Sequence, residues 1–195
     1  MTPRVADTVL IVCHANTARS VMAQMLLERM LVVRGVGDVR VCSGGVATWA
    51  RDGMIPSLDA RLALREEGIE LAEDAMASTA IARHPEVVAA AHVIVTMTRE
   101  QKAIMEALTE ADGKPILTLR ELAGESGDIA DPAMQGEDVF RACRDEIKRC
   151  LEGSIDRLLS LLPTMGGLAT GPPSPPTLGA PRETRGAPRS TPTGS

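Results

Sequence analysis

The chain has 195 residues, a formal net charge of −5, a hydrophobic fraction of 44% and four cysteines. That length suits one domain plus an extension, the acidic balance argues against a general nucleic-acid binder, and no apolar run approaches membrane-spanning length. Trp49 and Phe140 are the only aromatics and tyrosine is absent, so the core must be built from aliphatic side chains and methionine.

Met1 to Asp7 contains no apolar leader segment, and the four cysteines follow no disulfide-type spacing. Both features lead us to expect a cytoplasmic protein with free thiols. The run Thr8 to Val12 is short, apolar and β-branched, as a buried parallel strand should be, and it stops at Cys13. From Ser20 onward, Val21, Met22, Met25, Leu26 and Met30 recur at helical spacing until Gly35 and Gly37 break the pattern. A strand therefore ends, a tight loop turns, and a helix begins.

Such a loop aims backbone N–H groups and the positive end of a helix dipole at one point, which makes it an anion site. Cys13 stands at its entrance, where the same field favours thiolate over thiol. Arg19 closes the loop with a planar fork of donors suited to two oxygens of a phosphate-like group. Ser20 can donate its hydroxyl to the cysteine sulfur. The backbone of His14, Ala15, Asn16, Thr17 and Ala18 would line the cradle between them.

Farther along, Val39 to Cys42 reads as a strand and Ser43-Gly44-Gly45 as a glycine-rich loop, with Trp49 in the connection that follows. A helix is expected from Ser57 to Glu67, ended by Gly68, then a short helix from Ser78 to Arg83, a strand from His92 to Val95 and a helix from Arg99 to Leu108. His84 before Pro85 reads as loop. A short strand, Ile116 to Leu119, completes the strand set. The alternation predicts an α/β fold: three layers, α/β/α, around a four-stranded parallel sheet, with the phosphate loop after strand 1. Ligands of such sheets gather beyond the carboxyl ends of the strands, where Cys13, Ser43 and Thr96 all fall.

The loop Gly124 to Gly136 carries a second set of chemical groups, Asp128 and Asp131-Pro132. Either aspartate could donate a proton to a leaving group, and an Asp before Pro is equally an ordinary turn former. The final helix, Gly136 to Leu162, has an apolar face formed by Val139, Ile147, Leu151, Ile155, Leu158 and Leu162. Arg141, Arg144, Asp145 and Glu146 read as its solvated side, and Cys143 and Cys150 as packing residues. Cys42 likewise reads as core. Residues 1–162 form the expected domain, and the Pro/Gly/Ser/Thr-rich stretch 163–195 is expected to stay disordered because it has too little apolar surface to bury.

Cys13 to Ser20, Ser43-Gly44, Thr96-Met97-Thr98-Arg99 and Asp131-Pro132 together resemble the low-molecular-weight protein tyrosine phosphatases, a family that also includes phosphoarginine phosphatases and arsenate reductases. The likeness runs from Thr8 to Leu162. It implies a cysteine-dependent phosphatase working through a phosphocysteine intermediate, with Cys13, Arg19 and Asp131 catalytic. The loop residues and Trp49 would bind substrate, Ser43 would support the loop, and neither metal nor cofactor is implied. Ala15 and Ala18 stand where the family usually has Gly and a second Cys, and a supporting histidine expected near Asp74 is missing.

The resemblance implies a phosphorylated protein or small phosphorylated molecule as partner, with neither nucleic acid nor membrane. Phosphotyrosine proteins are the first expectation. Ala133-Met134 replace the aromatics that tyrosine-specific members carry after Asp-Pro, and Thr17 matches the phosphoarginine members, so phosphoarginine or a metabolite is the alternative. A phosphate-binding regulator without turnover is the reading from another class. Arsenate reduction ranks last, because Leu71 to Ala91 holds none of the additional cysteines it requires.

Overall fold

The computed structural model describes residues 6–163. The expected disordered tail therefore lies almost wholly outside the described residues. Strands β1 (Asp7–Cys13), β2 (Val39–Gly45), β3 (Val93–Thr96) and β4 (Ile116–Thr118) form one sheet in the order β2-β1-β3-β4. All pairings are parallel, with Leu10 opposite Cys42 on one side and Ile94 on the other.

Side chains alternate across β1, so each face of the sheet builds its own core. Val9, Ile11 and Cys13 join Leu26 and Leu27 of α1 (Arg19–Val33), Leu64 of α2 (Leu58–Glu66) and Ile147 and Leu151 of α6 (Glu137–Ser160). Leu10 and Val12 face the other way, onto Val88 of α3 (Pro85–Ala90) and Met105 of α4 (Arg99–Glu106). This is the three-layer arrangement expected, and its core is aliphatic apart from Met and Cys side chains and Phe140. Each fully buried aliphatic side chain contributes about 1.5–3 kcal/mol of transfer free energy, so central β1 is held more firmly than any edge.

Local chemistry fixes the helix starts. Ser57 accepts from Ala60 N–H at the head of α2, and Thr98 accepts from Gln101 N–H at the head of α4. Short α5 (Leu119–Leu122) opens with a reciprocal capping box between Thr118 and Glu121. Helix α1 has no such cap: Ala18 supplies no side-chain bond, so its first amide groups remain available to a ligand at the loop before it.

Ser43-Gly44-Gly45 continues β2 rather than forming a loop, and Ser78 to Arg83 holds only a single 3-10 turn at Ile81–Arg83. Two further expectations change. His84-Pro85 opens α3 rather than lying in a loop, because proline at the first helical position has its φ already set and needs no N–H partner. Arg144 is buried rather than solvated: it donates to the Ala63 carbonyl at 2.5 Å and pairs with Glu66 at 3.2 Å, tying α6 to α2. A buried guanidinium satisfied this way works as a clasp between helices.

Candidate active site

The loop between β1 and α1 wraps around the Cys13 sulfur. Asn16 N–H points to Sγ at 3.3 Å, and Ser20 Oγ lies 3.0 Å from it. Asn16 Nδ2 donates to Ser20 Oγ at 3.0 Å, which leaves the Ser20 hydroxyl proton free to point at sulfur. The same amide donates to Ser43 Oγ at 2.8 Å, and Ser43 in turn donates to Gln24 Oε1 at 2.7 Å. Gln24 closes the chain by donating to the Val41 carbonyl. A continuous polar relay thus runs from sheet edge to sulfur.

Asn16 pivots this relay in the left-handed region, at φ 61°. Its Oδ1 accepts from Thr79 N–H at 2.9 Å, so the segment before α3 buttresses the loop where the family's histidine was missed. Ala15 lies outside the positive-φ region: among the described non-glycine residues only Asn16 and Met134 have positive φ. The alanine is therefore accommodated without backbone strain. Gly45 of β2 explains how the loop sits so low, since a Cβ there would meet the His14 carbonyl oxygen at 2.8 Å and the Ala15 carbonyl carbon at 2.9 Å.

Arg19 is buried, and its guanidinium faces two ways. One nitrogen donates to the Ile129 carbonyl at 3.0 Å, and the other reaches Asp131 Oδ2 at 2.5 Å. Residues from the far end of the chain are thereby fastened to the loop. Asp131 is half-exposed at the cleft mouth, and the N–H of Ala133 donates to its other oxygen at 3.2 Å. Asp128 faces elsewhere, accepting from Arg99 N–H at 2.9 Å at the start of α4. His14 Nδ1 lies 3.3 Å from Arg19 and 3.7 Å from Asp131.

Cys13, Thr17, Arg19, Trp49, Asp131 and Ala133 border one cleft of about 210 Å³, together with His14, Ala15, Ala18 and Met54. All the residues expected from the sequence meet there or directly behind it, Ser43 and Asn16 being behind. Gln24 and Thr79 were missed. Gln24 was detectable in principle, one helical turn beyond Ser20, whereas Thr79 acts through its backbone and leaves no side-chain signal.

The other thiols do not line the cleft. Burial pushes Cys143 up to about 12 and raises Cys42 and Cys150 as well, which keeps these groups in the unreactive thiol form. All four cysteines are free. Among the described residues no group of three or more His, Cys, Asp and Glu is arranged to hold a metal ion. No helix there is long and apolar enough to cross a membrane.

Residues 8–160 match the family model of the low molecular weight phosphotyrosine protein phosphatases. The chain belongs to this family. A protein-arginine-phosphatase of Geobacillus stearothermophilus is 36% identical over 156 residues, covering 80% of this chain and 96% of that protein. The solved YwlE arginine phosphatase from Geobacillus stearothermophilus superposes with a TM-score of 0.69 at 33% identity, covering 85% of this chain and 97% of that one. A low molecular weight protein tyrosine phosphatase from T. tengcongensis gives 0.70 at 25% identity, covering 78% and 99%. The chain is thus a cysteine-dependent phosphatase of the low-molecular-weight family.

Proposed function

We propose that this phosphatase removes phosphate from phosphoarginine in proteins, in the cytoplasm, with residues 1–162 as its catalytic domain. The observation that carries the reading is the make-up of the cleft. Beyond Cys13 its wall is small or polar at Thr17 and Ala133, and the Asp131 carboxylate at its mouth suits a guanidinium group. The arginine phosphatase named above, similar along most of its length, supports the same choice.

In this mechanism Cys13 thiolate attacks phosphorus while the P–N bond breaks in line. Arg19 and the amides of residues 14–18 hold the equatorial oxygens, and each such donor is worth about 10²–10³ in rate. Asp131 delivers a proton to the departing guanidine nitrogen, so arginine leaves as the guanidinium and phosphate stays on sulfur. Asp131 then takes a proton from water, which attacks phosphocysteine and releases phosphate and the thiolate. The Ser20 hydroxyl stabilises sulfur as nucleophile and as leaving group.

Phosphotyrosine, the first expectation from the sequence, becomes the second reading, favoured by the indole of Trp49, which is 61% exposed on the cleft wall and offers a ring a stacking face. The pair is decided by assaying phosphoarginine and phosphotyrosine peptides of one sequence with wild type, Cys13→Ser and Asp131→Asn. We expect kcat/KM at least about tenfold higher on phosphoarginine, abolished in Cys13→Ser and reduced in Asp131→Asn. A higher value on phosphotyrosine would reverse the substrate assignment. Wild-type rates no greater than those of Cys13→Ser would refute turnover altogether.

A further inference from the structure

A second, larger hollow of about 450 Å³ opens beside the catalytic cleft, and His14 and Trp49 border both. Its inner wall is Val46, its outer wall Ile104 of α4, and Glu100 stands at its rim. The walls are apolar, with the Trp49 indole and the Ile104 side chain both presented to solvent. The rim is anionic: the Glu100 side chain is 76% exposed. Among the described residues its one ion-pair approach is His14 Nε2 at 4.0 Å. No lysine or arginine of the described residues neutralises it.

We infer that this hollow is a substrate subsite for a lysine or arginine side chain adjacent to the phosphorylated residue. A long basic side chain is apolar along its stem and charged at its tip. Here the stem would lie over Ile104 and the Trp49 ring, a cation–π surface, and the tip would reach Glu100. A residue one or two positions away in an extended peptide is about 3.5–7 Å from the phosphorylated one, a span that matches two hollows sharing a wall. An acidic neighbour would meet Glu100 as a like charge. The inference rests on the reading of the chain as a phosphatase of protein substrates, and holds for either phosphorylated residue.

The test compares peptides differing only in a Lys, Ala or Glu beside the phosphorylated residue, prepared as a phosphoarginine set and a phosphotyrosine set. For a rim ion pair we expect Lys to exceed Ala by about three- to fivefold in kcat/KM, carried by KM and weakening as salt is raised. Glu100→Gln should bring that ratio well down towards one, leaving only the contact of the stem with Ile104 and Trp49, and Glu100→Lys should turn the preference towards Glu. A wild-type ratio of one at low salt overturns the subsite, and so does a ratio unchanged by Glu100→Gln. Failure on both peptide sets while p-nitrophenyl phosphate is still hydrolysed overturns it too. If only phosphotyrosine peptides are cleaved, with the Lys preference intact and dependent on Glu100, the substrate assignment fails and the subsite stands.

Discussion

Replacing Asn16 with alanine tests whether one amide side chain holds the phosphate loop. The change deletes the donations to Ser20 and Ser43 and leaves Thr79 N–H without its acceptor. Orphaning this part-buried donor costs about 1 kcal/mol, and each lost neutral bond about 0.5–1.5 kcal/mol net. Alanine also tolerates φ 61° poorly, which adds about 1 kcal/mol. Some relaxation of the two hydroxyls is expected, so the total should fall near 3–4 kcal/mol. Glycine at the same position loses the same hydrogen bonds but accepts the backbone angle, and should recover about 1 kcal/mol of that loss. Urea unfolding followed by circular dichroism measures both. Turnover of p-nitrophenyl phosphate should fall by about 10² or more in each variant, because the Asn16 amide loses its aim at sulfur. Equal stability of the alanine and glycine variants would refute the strain component. A loss under about 0.5 kcal/mol in both would refute the relay as a structural element.

Gly45→Ala should lower both stability, by about 1–3 kcal/mol, and phosphate affinity measured by calorimetry, since the new methyl meets loop backbone that cannot yield. Gly44→Ala is its control: there the methyl meets the Ile81 side chain, so stability should fall while phosphate affinity holds. Hydrogen bonding to Glu86 and then Asp52 raises the His84 pKa, and the Ala80 N–H, before His84, lowers that of Asp52. The His84 contribution to stability is complete below the ordinary histidine pKa and disappears as pH rises through the raised value. The Asp52 contribution is present above the ordinary aspartate value and disappears as pH falls through the lowered one. Asp52→Asn should therefore lower the His84 pKa seen by NMR. Its destabilisation should be greatest in mildly acidic solution and shrink at alkaline pH, without vanishing, because the Ala80 bond persists.

Much of this fold could be read directly because β1 is buried on both faces and α1 follows as a long run rich in Val, Met and Leu with no glycine or proline. Short elements were harder. Helix α3 has one fully buried apolar residue, Val88, and six residues cannot display a period; only Pro85 marks its start. Arg144 was misread because amphipathic patterning assigns a charge to solvent, whereas the open Ala63 carbonyl that receives it belongs to a distant helix. Asp128 and Asp131 are indistinguishable by type and spacing. What separates them is a long-range partner: Arg99 N–H for the first, Arg19 for the second.

That last pairing links the two halves of the candidate site. Arg19 pairs with Asp131 through one nitrogen and with the Ile129 carbonyl through another. A phosphoryl group in the cradle brings two negative charges and several oxygens to the same guanidinium, a stronger partner than one half-exposed carboxylate. On the proposed mechanism it draws the first nitrogen away from Asp131 and frees that carboxyl to turn to the leaving group. The bond to Ile129 need not break, so the loop carrying Asp131 stays docked while its side chain is released. On that mechanism one buried arginine would bind the phosphate, anchor the acid loop and release the acid as substrate arrives, which an ammonium with a single charge centre could not do.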